Sequence, residues 1–123
     1  MVKWLFRLFL LSLLALSLLF SLAPVSGSEP LAINDKVIHF LSYFALMLAL
    51  DFSCLSGRYI VTKMILVLSY SIAIEIAQSY VPGRDMSAYD ALANGLGIMA
   101  FIAILPLIKM QKFYRQLQHI QDS

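Results

Sequence analysis

Eight polar residues that could bind a ligand or transfer a proton stand out from an otherwise apolar sequence. They are Asp35, Lys36, His39, Glu75, Gln78, Arg84, Asp90 and Asn94. Histidine and glutamate are common general acids and bases, so His39 and Glu75 are the candidate catalytic groups. Arginine binds phosphate or carboxylate through two parallel hydrogen bonds, so Arg84 is a candidate anion ligand. This inventory favours acid–base chemistry beside a bound anion.

The spacing of these residues predicts that they act in pairs. Glu75 and Gln78 are three residues apart, and Asp90 and Asn94 are four apart. Residues at these spacings share one face of an α-helix. Polar residues within apolar helices usually point into the bundle, so each helix could direct two polar groups at one place.

Helix capping is an alternative role for some of these residues. Asn34 could cap a helix with Asp35 in its first turn, and Ser87 followed by Asp90 has the spacing of a capping box. The polar residues within the spans could also form hydrogen bonds between helices without any chemistry. The sequence leaves these alternatives open.

The elements that must position these residues are predicted to be membrane-spanning helices. The chain has 123 residues, of which 61% are hydrophobic and 13% charged, and its mean hydropathy is +0.84. Soluble domains have about 25% charged residues, so an ordinary soluble protein is excluded. Four windows are close to the roughly 20 residues that cross a bilayer: Trp4–Ala23, Val37–Phe52, Tyr59–Tyr80 and Tyr89–Ile108. The predicted fold class is an all-α integral membrane protein with a four-transmembrane-helix bundle.

The basic residues predict the orientation of this bundle. Seven lie at the termini and the middle joint, whereas the first and third joints hold only Lys36 and Arg84. By the positive-inside rule both termini are cytoplasmic, and the eight polar residues lie near the outer surface. Asp51 is expected at the cytoplasmic boundary of the second span. Glu75, inside the third span, needs a partner, and Lys36, His39 and Arg84 are the candidates.

The first span could alternatively be a signal peptide. Lys3 and Arg7 form a basic start, and Val25-Ser26-Gly27 loosely resembles a cleavage site. The second span would run from outside to inside in either case, so the orientation of the polar residues does not depend on this choice.

No metal or cofactor is expected from the sequence. His39 and His119 fall on opposite sides of the membrane and Cys54 is the only cysteine, which argues against zinc. Glu75 and Asp90 offer oxygen ligands for Mg²⁺ or Ca²⁺, but no ligand spacing is diagnostic. The net charge of +2 is too small and dispersed to indicate nucleic-acid binding.

The ordered polar motifs resemble those of the VanZ-like family of small multi-pass membrane proteins. The matching stretches are Asp35-Lys36-Val37-Ile38-His39-Phe40 with Tyr43, Glu75-Ile76-Ala77-Gln78, Pro82-Gly83-Arg84, Asp90, and Asn94-Gly95-Leu96-Gly97. The resemblance implies a bacterial inner-membrane location and a link to low-level teicoplanin resistance, but no defined reaction. The chain divides into a first helix at 1–25, which could be a signal anchor, a VanZ-like three-helix core at 26–108 and a basic cytoplasmic tail at 109–123.

Two features bear on helix packing within this resemblance. Gly95 and Gly97 are expected to be close-packing positions. Phe101 stands where the family would be expected to have another small residue, which departs from the pattern.

Three functions remain open at this stage. The chain could be a cell-envelope accessory protein whose outward-facing polar cluster binds a lipid headgroup. It could be an intramembrane hydrolase or transferase acting on a lipid-linked phosphate or ester, or a structural protein whose polar network fixes helix packing. The expected partners are membrane lipid and a lipid-linked envelope precursor. No nucleic acid is expected, and a homo-oligomer is left open.

Overall fold

The computed structural model of the chain describes residues 2–24, 32–54 and 59–122, the side chains of 32–34 and 121–122 excepted. Each regular element in these ranges is an α-helix: α1 Val2–Leu22, α2 Ala32–Ser53, α3 Ile60–Gln78, α4 Ala88–Met110 and α5 Lys112–Asp122. The first four are long and apolar enough to span a membrane. The predicted all-α fold with four helices of membrane-spanning length is therefore confirmed.

Some helix boundaries differ from the prediction. The second helix begins at Ala32 rather than Val37, so Asn34 lies inside α2 and not at its N-cap. Ser87 does cap α4, because its Oγ accepts a hydrogen bond from the Asp90 backbone N–H at 3.3 Å. The cleavage-like Val25-Ser26-Gly27 and Arg58 lie outside the described residues.

The most extensive helix interface joins α2 and α4, and a glycine allows their close approach. A Cβ at Gly97 would overlap the backbone carbonyl oxygen of Phe40 and lie 3.1 Å from the backbone nitrogen of Phe44. Nothing lies within 4 Å of a Cβ at Gly95, so the expectation that Gly95 is also a close-packing position is wrong. Phe101 does not loosen the packing: it is fully buried, and its ring meets that of Phe44 edge-on with centroids 5.9 Å apart.

Helix α1 lies on the outside of the bundle. It has no buried residues and packs against α2 and α3. The hydroxyls of Ser17 and Tyr70 are hydrogen-bonded at 2.7 Å, and Tyr70 also donates to the backbone carbonyl of Leu14 at 3.0 Å. Large apolar side chains such as Leu8 and Phe20 are exposed along α1, which is the pattern of a helix that faces lipid on one side.

The opposite end of the bundle from the predicted polar cluster holds a buried ion pair that the sequence analysis missed. Lys63 Nζ lies 2.6 Å from Asp51 Oδ1, and the two side chains are 5% and 0% exposed. Lys63 also donates to the backbone carbonyl of Cys54. Asp51 lies in the last turn of α2, which ends at Ser53, and its place at a membrane boundary stays a prediction. Its charge is compensated by Lys63, which comes from the adjoining turn of α3.

The short helix α5 completes this network. Tyr114 donates a hydrogen bond to Asp51 Oδ2 at 2.8 Å, and its ring meets Phe52 edge-on with centroids 5.4 Å apart. Burial, followed by the hydrogen bond to Asp51, raises the pKa of Tyr114, so the phenol remains a donor at physiological pH. The tail, expected only as a basic segment, is thus an amphipathic helix docked through Tyr114 and Leu117.

Candidate functional site

Five of the eight predicted residues form one cluster where the start of α2 meets the start of α4. Lys36 Nζ lies 2.7 Å from Asp90 Oδ1, and His39 Nδ1 lies 2.9 Å from Asn94 Oδ1. The other ring nitrogen, His39 Nε2, is 3.8 Å from Asp35 Oδ1 and 3.9 Å from Asp90 Oδ2. We call these residues, Asp35, Lys36, His39, Asp90 and Asn94, the polar cluster.

The third helix supports this cluster through a residue that the sequence analysis did not select. The Nδ2 of Asn94 donates to Ser71 Oγ at 2.9 Å, and both side chains are buried. Ser71 precedes Glu75 by four residues, so its helix face was readable from the sequence. Serine is common on helix surfaces in membranes, however, and the spacing alone did not distinguish it.

Glu75 and Gln78 also lie on the inner face of α3, as predicted, and are 4% and 3% exposed. Neither carboxylate oxygen of Glu75 has a hydrogen-bond partner among the described residues. The expected pairing with Lys36, His39 or Arg84 is therefore absent from the described part of the chain. The backbone N–H of Ser87 is nearby, and Asp90, His39 and Asp35 interact electrostatically with Glu75.

Arg84 is positioned by a tight turn and makes contacts that the sequence did not predict. Gly83 has a φ of 79°, and the Arg84 N–H donates to the carbonyl of Val81 at 3.1 Å. A glycine with positive φ after proline is typical of a type II turn. The guanidinium then donates to the backbone carbonyls of Phe20 and Ala23, each at 2.9 Å. Arg84 thus caps the C-terminal end of α1, where a cation is favoured by the unpaired carbonyls.

A cleft of about 540 Å³ lies between α1 and α2 beside the polar cluster. Its polar lining includes Asp35, His39, Gln78 and Arg84, and its apolar lining includes Leu13, Leu16, Phe20, Ile38 and Leu46. The lining therefore offers polar side chains to a charged or hydrogen-bonding group and apolar side chains to a hydrocarbon chain. Small-molecule sites have volumes of roughly 300–1,000 Å³, so the cleft is large enough for a ligand.

The arrangement has two chemical capacities. His39 Nε2 faces the carboxylates of Asp35 and Asp90, so it could accept a proton from a ligand in the cleft. The same three side chains offer ligand atoms within 4.8 Å of one another, which is a spacing that a metal ion could bridge.

The chain was compared with family models, with curated proteins and with solved structures. None of these comparisons found a match.

Proposed function

We propose that this chain is a multi-pass membrane protein that binds the headgroup of an envelope lipid at the polar cluster. The observation that carries the proposal is the mixed lining of the cleft between α1 and α2, which includes His39 and Arg84 as well as Leu13 and Leu46. A lipid has the same two-part chemistry. Its acyl chain would contact the apolar side chains of the lining while its headgroup contacts the polar ones.

Arg84 is the residue best placed to recognise a phosphate in this cleft. Its guanidinium has five N–H donors, and two of them bind the α1 carbonyls. The others are free for a phosphate within the described part of the chain. Lys36 is engaged with Asp90 and therefore contributes less to anion binding than Arg84 does.

We further propose membership of the VanZ-like family, a bacterial inner-membrane location and a role as a cell-envelope accessory protein. The ordered motifs support this assignment, as does the meeting of Asp35, Lys36, His39, Asp90 and Asn94 in one cluster. The link to glycopeptide resistance belongs to the same proposal.

Lipid retention tests the binding proposal. Ser42 lines the cleft, so Ser42→Trp should fill it and displace lipid without replacing any residue of the polar cluster. Ser12 lies on the exposed side of α1, so Ser12→Trp is the matched control. We expect native mass spectrometry of the detergent-purified chain to show phosphatidylglycerol bound to the wild type and to Ser12→Trp, and at least about tenfold weaker binding to Ser42→Trp. Equal lipid retention by both variants would contradict the proposal.

A second candidate function is an intramembrane hydrolase or transferase acting on a lipid-linked phosphate or ester. It is favoured by the buried Glu75 carboxylate, which has no hydrogen-bond partner in the described part of the chain, and by His39 in the lining of the cleft. Glu75→Gln should then remove the base and leave lipid binding intact. Mass spectrometry of lipids and lipid-linked precursors should show a pool that changes on deletion and is restored by the wild type but not by Glu75→Gln at matched protein level. Full restoration by Glu75→Gln would exclude Glu75 as the base.

A further inference from the structure

Three side chains at the outer end of the bundle are arranged as metal ligands. Asp35, His39 and Asp90 each present one ligand atom, and these atoms lie within 4.8 Å of one another. We propose that these residues bind one Zn²⁺ ion. The proposal goes beyond lipid binding and does not depend on it.

The distances agree with a single ion between the three atoms. His39 Nε2 is 3.8 Å from Asp35 Oδ1 and 3.9 Å from Asp90 Oδ2, and one ligand atom from each of the three residues lies within 4.8 Å of the other two. A point equidistant from three such atoms lies at most roughly 2.5 Å from each, against the 2.0–2.2 Å of zinc bonds to nitrogen and oxygen. Inward rotation of the side chains by a few tenths of an ångström would close the site.

The histidine is held in the tautomer that a metal requires. Asn94 donates through Nδ2 to Ser71 Oγ, so its Oδ1 is the atom that faces His39 Nδ1. The proton of the neutral imidazole therefore lies on Nδ1, and Nε2 presents its lone pair to the two carboxylates. Metal-binding histidines almost always donate their second N–H to an oxygen in this way.

A buried carboxylate beside the cluster provides an independent reason to expect a cation. Glu75 is 4% exposed, neither of its oxygens has a hydrogen-bond partner among the described residues, and it interacts electrostatically with Asp90, His39 and Asp35. Three carboxylates thus share this region with a single paired ammonium, that of Lys36. Carboxylates that share a site repel one another when they are charged, and a bound dication would offset that repulsion.

The donor set favours zinc over the harder cations. An imidazole nitrogen with carboxylate oxygens suits Zn²⁺, whereas Mg²⁺ and Ca²⁺ prefer oxygen ligands alone. The sequence did not indicate this site because Asp90 lies more than fifty residues after Asp35 and His39. The ligands come together only where α4 packs on α2.

Zinc titration of the full chain in detergent, after removal of bound metal with a chelator, tests the proposal. Competition with a chromophoric zinc chelator should show one Zn²⁺ per chain that excess Mg²⁺ or Ca²⁺ does not displace. His39→Gln and Asp90→Asn should weaken zinc binding by at least about tenfold. His119→Gln and Asp85→Asn, which change an exposed histidine and an exposed aspartate outside the cluster, are the matched controls and should bind as the wild type does.

Lys36→Met provides a gain of affinity that misfolding could not produce. The ammonium of Lys36 occupies Asp90 Oδ1 and repels a dication, so its removal should tighten zinc binding by roughly two- to fivefold. Unchanged binding by His39→Gln would overturn the proposal, as would Zn²⁺ binding no tighter than Mg²⁺ binding. Zinc titration of Ser42→Trp separates the two proposals, because this variant should lose lipid while it keeps all three zinc ligands.

Discussion

At the residue scale, breaking the buried ion pair of Asp51 and Lys63 should lower the free energy of unfolding more than any other change discussed. Asp51 is fully buried and receives hydrogen bonds from Lys63 and from Tyr114. Removal of one partner from a buried ion pair leaves an uncompensated charge, whereas replacement of both partners by apolar groups is often tolerated. Changing either residue alone should therefore destabilise the bundle, whereas changing both together should be tolerated.

We predict that Lys63→Met lowers the free energy of unfolding by about 3–5 kcal/mol, and that Tyr114→Phe lowers it by about 1.5–3 kcal/mol because a hydrogen bond to a charged group is lost. The double variant Asp51→Leu/Lys63→Met should recover most of the loss. Unfolding by SDS in mixed micelles measures these differences, with the exposed Lys112→Met as control. A Lys63→Met protein as stable as the wild type would show that Asp51 is not charged in the folded chain.

The sequence predicted which residues form the polar cluster, but it did not predict most of the contacts that the polar residues make. Helix spacing and the positive-inside rule brought Asp35, His39 and Asp90 to one surface, because these rules depend only on local periodicity and charge. The partners of Arg84 could not be predicted, since it binds backbone carbonyls more than sixty residues away. The contact of Lys63 with Asp51 was predictable in principle, because the two residues lie at similar depth on either side of a short joint.

At the scale of helices, the contact between α2 and α4 determines where the polar cluster forms. Gly97 lies three residues after Asn94, and Phe40 directly follows His39. The close backbone approach at Gly97 and Phe40 is thus within one helical turn of the hydrogen bond between His39 and Asn94. Hydropathy predicted the helices and their approximate lengths, but it did not predict where along α2 and α4 the two backbones come close together.

We predict that Gly97→Ala lowers the free energy of unfolding by about 1–3 kcal/mol, because the added methyl group must displace the α2 backbone. Gly95→Ala is the matched control, since a Cβ there meets nothing within 4 Å. It should be neutral or stabilising by up to about 1 kcal/mol through helix propensity. SDS titration of both variants makes the comparison, and equal destabilisation would argue against the close approach at Gly97.

At the scale of the whole molecule, orientation decides which compartment the polar cluster faces. Four helices can span the membrane, and the charge distribution predicts that the cluster faces outward. Cys54 is exposed at the end of α2, and it is the only cysteine in the chain. It lies at the end of the bundle opposite the polar cluster and can therefore report the side of the membrane.

We predict that a membrane-impermeant maleimide labels Cys54 only after cells are permeabilised, because the joint between α2 and α3 is expected in the cytoplasm. Asp85 is exposed in the turn between α3 and α4. A cysteine placed there, as Asp85→Cys in a Cys54→Ser background, should be labelled in intact cells. The reverse pattern would place the polar cluster in the cytoplasm and exclude an outward-facing site.

The close approach at Gly97 also determines how a detergent-purified sample should be tested for native helix packing. Each helix makes its own backbone hydrogen bonds, so a detergent that lets α2 and α4 drift apart would leave the helical content unchanged. His39 and Asn94 would nevertheless separate. The circular dichroism spectrum of such a sample would look native. A distance measured between spin labels on α2 and α4 would show that the helices have separated.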